Sequence, residues 1–198
     1  MDRFQIPNII NAISQAWSVK DSALDILCDN LVARTFPRRH LIIEEGKAAG
    51  MAYFIEKGMT RSFWIVDGEE ITTSFSIEGG IVFSMDEFYY GKISEENVET
   101  IEPCETYGIS IETLHALFNT EIDLANWGRV IHQNEYRRIH QSHKERLTLP
   151  AKERYQAFHD QFPEICRRAR LTDIASYLGV TLPTLSRIRA IILSLIHI

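Results

Sequence analysis

Residues 171–190 read LTDIASYLGVTLPTLSRIRA, two short apolar-periodic segments that meet at Gly179. Thr172 is placed to cap the first segment, whose Ile174, Ala175 and Leu178 recur at helical spacing. Glycine carries no Cβ, so Gly179 admits a sharp bend after it. Thr181 then caps a second helix with Pro183 in its first turn, where a missing N–H costs nothing. Ala175 is small enough for two helices to cross closely, and Val180, Leu185 and Ile188 fill the angle between them, as a helix-turn-helix requires. Thr184, Ser186, Arg187 and Arg189 remain on the outer part of the second helix, where an arginine can bond both O6 and N7 of a guanine in a major groove. A structural αα-hairpin with a glycine turn has the same pattern, so the motif alone leaves DNA binding and plain packing both open.

The distribution of charge favours DNA. The chain has 198 residues and a net charge of −6, but residues 1–128 hold 9 Lys/Arg against 21 Asp/Glu, whereas residues 129–198 hold 12 against 6. Segregation of this kind predicts that the C-terminal part meets a polyanion and the N-terminal part does not. No apolar run approaches the roughly 20 residues of a membrane span. The start, MDRFQIPNIINAISQAW, reads as neither signal nor transit peptide, and a cytoplasmic protein with no membrane partner is expected. Cys28, Cys104 and Cys166 stand apart, without the spacing of a disulfide framework or an iron–sulfur site, and read as small buried hydrophobes.

Working outward to the N-terminus, residues 8–17 and 21–33 carry helix-spaced apolar positions, with Asp21 or Ser22 placed to cap the second. From Phe36 the pattern becomes short β-rich runs, LIIEEG, MAYFIEKG, MTRSFWIV, EEITTSFSI and GGIVFS, punctuated by glycines. A helix-like DEFYYG, then NVETIE and CETYGISI, complete seven or eight strands at hairpin spacing, which predicts a small β-sandwich or roll. Ile111 opens a long polar helix pattern, interrupted near Asn119 and at Gly128. A long helix with a narrow apolar stripe predicts self-pairing through residues 121–143, although packing on its own roll satisfies the same stripe. LPAKERYQAFHDQFPEI gives another helix between Pro150 and Pro163, and the linker RRAR at 167–170 offers Arg167, Arg168 and Arg170 to phosphates.

A β-roll, a long helix and a C-terminal helix-turn-helix together resemble the Crp/Fnr superfamily of bacterial transcription regulators, over roughly residues 20–190. The hairpins HLIIEEGKAAGMAYFIEKGMTRSFWIVDGEEI look like the first half of its cyclic-nucleotide-binding fold, and AKERYQAFHDQFPEI with TDIASYLGVTLPTLSRIR resembles its Bacteroidetes-type members. The resemblance implies an α+β protein with an N-terminal double-stranded β-roll (jelly-roll-like), a long dimerisation helix and a C-terminal helix-turn-helix. Residues 1–115 would form the cyclic-nucleotide-binding-like roll with flanking helices, 116–145 the dimerisation helix and 146–190 the DNA-binding domain. It also implies a homodimer on an inverted-repeat operator of double-stranded DNA, RNA polymerase as a further partner, and Arg187 as the principal base-reading residue.

The ligand positions depart from that family. Its cyclic-AMP binders carry Gly-Glu and Arg-Ser or Arg-Thr pairs in the phosphate cassette; the aligned positions here are Phe83-Ser84 and Ser94-Glu95. With Glu95 and Glu96 where a phosphate would sit, the pocket is degenerate and tight cyclic-nucleotide binding is not expected. Phe75, Phe83, Phe88, Tyr89 and Tyr90 are the residues available to an apolar effector, but core packing is the reading favoured for these aromatics. His115, His132, His140 and His143 are candidate haem ligands by residue type only, and no cofactor or metal is expected. Without a phosphate loop, an HExxH or a nucleophile elbow, no enzymatic activity is expected either. The closing LSLIHI resembles the translation of a transposon end used in sequencing libraries, implying that residues 191–198 are a non-native tail. Against the DNA-binding regulator stands one rival: a small-molecule sensor or interaction module whose helix-turn-helix no longer reads DNA.

Overall fold

The protein is described by a computed structural model over residues 3–196. After a 3-10 turn come helices α1 (Pro7–Ala16) and α2 (Asp21–Asp29), and then strands β1 (Val32–Phe36), β2 (Leu41–Ile43), β3 (Met51–Lys57), β4 (Thr60–Val66), β5 (Glu69–Ser76) and β6 (Ile81–Val82). Helix α3 (Met85–Tyr90) precedes β7 (Asn97–Thr100) and β8 (Cys104–Ser110). The rest is helical: α4 (Ile111–Thr120), α5 (Ile122–Thr148), α6 (Ala151–Gln161), α7 (Pro163–Arg168), α8 (Leu171–Leu178) and α9 (Leu182–Ile196).

The strands form two four-stranded sheets, ordered β1-β8-β3-β6 and β2-β7-β4-β5, the two layers of a roll. Successive residues of a strand point to opposite faces. In β3 this sends Ala52 and Phe54 into a cluster with Ile9 and Ile13 of α1, Leu24 and Leu27 of α2, Leu114 of α4, and Leu124 and Trp127 of α5. Ile55 goes instead to a second cluster with Ile43, Val82 and Val98. Each such Leu or Ile removed from water contributes about 1.5–3 kcal/mol. Helix α1 has Pro at its start and no local side-chain cap. Its N-terminus is satisfied from a distance, because the buried Glu56 carboxylate of β3 accepts from the amides of Asn8 and Ile9, both at 3.1 Å.

Three expectations are corrected. The helix predicted over 21–33 ends at Asp29, with Lys20 rather than Asp21 or Ser22 as its N-cap. Leu31 continues the helical spacing from Leu27, but Val32–Phe36 pairs antiparallel with β8, from Val32↔Gly108 to Phe36↔Cys104. Gly128 does not interrupt α5; it is buried, and a Cβ there would lie 2.8 Å from the Phe118 ring, so the glycine permits that ring's close approach. The break expected near Asn119 is present two residues on, at Glu121, whose extended backbone caps α4. Finally, Pro163 opens the separate helix α7, so Arg167 and Arg168 lie in its last turn rather than in a linker.

Two compact units emerge. One comprises residues 1–63 and 75–135; the other comprises residues 64–74 and 136–198. The division falls inside α5 after Glu135, and the tip of the β4–β5 hairpin belongs with the helix-turn-helix. Helix α9 carries on through the first part of the suspected tail to Ile196, while the side chains of residues 193–198 lie outside what is described.

Candidate nucleic-acid interface

Helix α8 ends where Gly179 adopts a left-handed conformation (φ 65°, ψ 42°). The Gly179 amide donates to the Ser176 carbonyl at 3.0 Å and the Val180 amide to the Ala175 carbonyl at 3.0 Å, a Schellman closure that satisfies the helix's last carbonyls. Thr181 begins α9 as its spacing predicts: its hydroxyl accepts from the Thr184 amide at 3.4 Å and shares a 2.9 Å hydrogen bond with the Thr184 hydroxyl. Thr172 does not cap α8. Arg170 holds that position, with its carbonyl accepting from the Asp173 and Ile174 amides at 3.1 and 3.2 Å. Ile174, Ala175, Leu178, Leu185 and Ile188 are all buried, so the apolar sides of α8 and α9 are both used in packing.

Opposite that packed side, Ser186 and Arg187 are exposed, as is Thr181, while Thr184 is half-buried. Arg189 is placed differently from expectation. It is half-buried, with its guanidinium beside the hydroxyl of buried Tyr155 on α6 and close to Cys166 on α7. Burial pushes the Tyr155 phenol and the Cys166 thiol up, the latter to about 11, and the Arg189 charge opposes both shifts. The reason is helical spacing: Arg189 lies four residues after fully buried Leu185, on the same face. Of the three arginines before α8, Arg167 is exposed and paired with Glu164. Arg168 is half-buried, and Arg170 is held by its Nε at 2.8 Å from the carboxylate of buried Asp173. That carboxylate sits in the first turn of α8, where the helix dipole favours negative charge.

One contact here had no signal in the sequence. The Ser176 hydroxyl on α8 donates to the Glu70 carbonyl and accepts from the Thr72 amide, both at 2.9 Å, fastening the hairpin tip to the helix-turn-helix.

In the other unit, the four candidate ligand positions each have structural partners. Phe83 packs on Phe88 with ring centroids 4.6 Å apart, and both rings lie near His132 of α5. Ser84 is buried and caps α3, accepting from the Glu87 amide at 3.3 Å. Buried Ser94 closes a tight turn, donating to the Glu96 carbonyl at 2.8 Å and accepting from the Glu96 amide at 3.2 Å. Glu95 is exposed, and its amide donates to the Asp86 carboxylate at 2.9 Å. The Glu87 carboxylate takes the amides of Ala49 and Gly50 at 2.8 and 2.6 Å. The segment thus gathers acceptors and carboxylates in place of an arginine. Residues 33–121 match the cyclic nucleotide-binding domain family.

Over that span the chain is similar to cyclic nucleotide-binding domains. The match spans the eight strands, α3 and α4. Similarity at the level of fold extends much further along the chain. The c-di-GMP-responsive global regulator CLP of Xanthomonas campestris superposes with a TM-score of 0.70 at 19% identity, over 88% of this chain and 92% of that one. FixK2 of Bradyrhizobium japonicum gives 0.70 at 21% identity over 83% and 85%. A protein of Eubacterium rectale described as a transcriptional regulator of the crp/fnr family gives 0.68 at 15% over 86% and 82%. At these identities the likeness is one of fold, and it covers the matched span, residues 33–121, together with the C-terminal helices. No curated protein matches the chain by sequence. Among the described residues, no helix is long and apolar enough to cross a membrane.

Proposed function

We propose that this chain is a transcription regulator of the Crp/Fnr type that reads specific DNA as a homodimer. The observation that carries the reading is the division of α9: Leu185 and Ile188 are buried on one side, while Ser186 and Arg187 face outward on the other. An outward arginine on a second helix can bond guanine O6 and N7 in two places, with Ser186 and Thr184 beside it. Exposed Thr181 and Arg167 are suited to phosphates, and half-buried Arg168 and Arg170 lie near them in sequence. Arg189 packs against Tyr155 and serves the fold of the domain instead of the bases.

Pairing through α5 is supported by its exposed Tyr136, Ile139 and Leu147, which fall on one side of the helix, and by exposed Ile122 at its start. Two copies so paired would bind an inverted repeat, with RNA polymerase the further partner that this type of regulator implies. The nucleotide pocket is degenerate: Phe83, Ser84, Ser94 and Glu95 supply no cation, and nearby carboxylates repel a cyclic phosphate. Selection of bound sequences from a random duplex library tests the function. An enriched inverted repeat supports it; recovery of unbiased sequence, with binding that disappears in moderate salt, favours an interaction module with a non-reading helix-turn-helix.

A further inference from the structure

The exposed side of α5 carries histidine among its apolar residues. Tyr136, Ile139, His143 and Leu147 are all exposed and follow one another at steps of three, four and four residues, which sets them along one stripe of the helix. Arg138, Ser142 and Glu145 fall on the opposite side, beside residues of α6 and α8. His143 therefore sits within the stripe, one turn from Ile139 in one direction and one turn from Leu147 in the other. His140 lies at the edge, its ring stacked on Tyr136 with centroids 6.2 Å apart. His132 is engaged elsewhere, with Nδ1 2.6 Å from the Gly128 carbonyl.

Charge around His143 is mostly of one sign. Residues 136–147 hold Arg137, Arg138, Lys144 and Arg146 against a single carboxylate, Glu145. Glu145 is on the far side of the helix, where it accepts from the Gln141 side-chain amide at 2.7 Å. The elements packed on this part of α5 add a phenol and a further cation: the Tyr177 hydroxyl of α8 accepts from Arg138 at 3.0 Å, and Arg154 of α6 donates to the Arg146 and Leu149 carbonyls at 3.4 and 3.2 Å. No carboxylate of residues 136–147 shares the side of α5 that His143 occupies.

We infer that pairing of α5 between two copies of this chain is gated by protonation of His143. The inference rests on the homodimer proposed above. Both helix-turn-helix units must reach one side of the same duplex, so the two α5 helices run parallel about a two-fold axis and each residue of the stripe faces its own counterpart. A neutral His143 ring is enclosed between Ile139 and Leu147 of both copies. A protonated ring meets an identical charge and gives up hydration, and both effects oppose pairing. Each chain must therefore shed that proton to pair. Histidine changes charge between about pH 5 and 8. One pH unit below the ordinary titration point of histidine, shedding a proton costs about tenfold, so two per dimer weaken pairing by up to roughly 100-fold. Operator affinity falls with it, because a single copy holds only half of an inverted repeat.

Sedimentation equilibrium of the full chain at about pH 8 and about pH 5.5, at matched ionic strength, tests the gate. The expected result is a dimer whose dissociation constant is at least about tenfold larger at the acid pH, whereas H143Q, neutral throughout, changes by about threefold or less. His143 is exposed in the single chain, so H143Q keeps the fold, and any general effect of acid falls on both proteins alike. Two results overturn the gate and leave the homodimer standing: a wild-type dissociation constant that does not move with pH, or an H143Q protein with the full wild-type dependence. Monomers at both pH values overturn the homodimer and the gate together.

Discussion

Two arginines two residues apart on α9 should respond to alanine in opposite ways. Arg187 is exposed, so Arg187→Ala should leave stability within about 0.5 kcal/mol of wild type. At a selected operator it should remove one bidentate base contact, ~1–3 kcal/mol or roughly 5- to 150-fold in affinity, with little change on random DNA. Arg189 is half-buried beside Tyr155, whose side chain is buried. Arg189→Ala removes a half-buried side chain packed beside that phenol, a destabilisation of about 1–2 kcal/mol from lost packing. Urea unfolding followed by far-ultraviolet circular dichroism measures the first quantity, and fluorescence anisotropy with labelled duplexes measures the second. The reasoning is refuted if Arg189→Ala keeps full stability yet selectively loses the operator, or if Arg187→Ala weakens operator and random DNA equally.

Other outcomes follow from the same geometry. Isothermal titration with cyclic AMP and cyclic GMP should show no micromolar binding; affinity at that level would contradict the degenerate pocket. Gly128→Ala places a methyl 2.8 Å from Phe118 and should destabilise by about 1–3 kcal/mol in urea unfolding, with no loss pointing to a yielding ring. Glu56→Ala leaves the Asn8 and Ile9 amides without their acceptor and should cost about 1–3 kcal/mol, with amide exchange accelerated first in α1. The Cys166 thiol, raised from 9.0 to about 11 by burial, keeps its proton in the folded state after the unfolded chain has lost it. Stability should therefore fall as pH rises through that window, and Cys166→Ala should flatten the fall; an unchanged slope would contradict it.

The helix-turn-helix was the most legible region because its determinants are local: a glycine in the left-handed region, a threonine cap and apolar residues within one turn of each other. The roll was legible as short glycine-punctuated runs of β-rich sequence, but β1 was hidden by Leu31, which extends the spacing of α2 into a strand paired with residues 68 to 76 positions away. Arg189 could have been placed from sequence, since it follows Leu185 by four residues. Its reading as an outward residue gave chemistry priority over helical geometry. The Glu56 cap on α1 and the Ser176 clasp on the hairpin join residues 47 or more positions apart, and no periodicity reports such contacts. Asp173 carries no signal in the sequence, and its burial against Arg170 draws a neighbouring cation away from solvent.

Two outward-facing Arg187 side chains, carried by a paired α5, should touch guanines about one helical turn, or 10–10.5 base pairs, apart. Methylation interference at guanine N7 on the selected operator measures this directly. The account predicts two interfering positions at that separation, symmetric about the centre of the repeat, both lost with Arg187→Ala. Interference that is absent, confined to one position, or unchanged in the variant would contradict it.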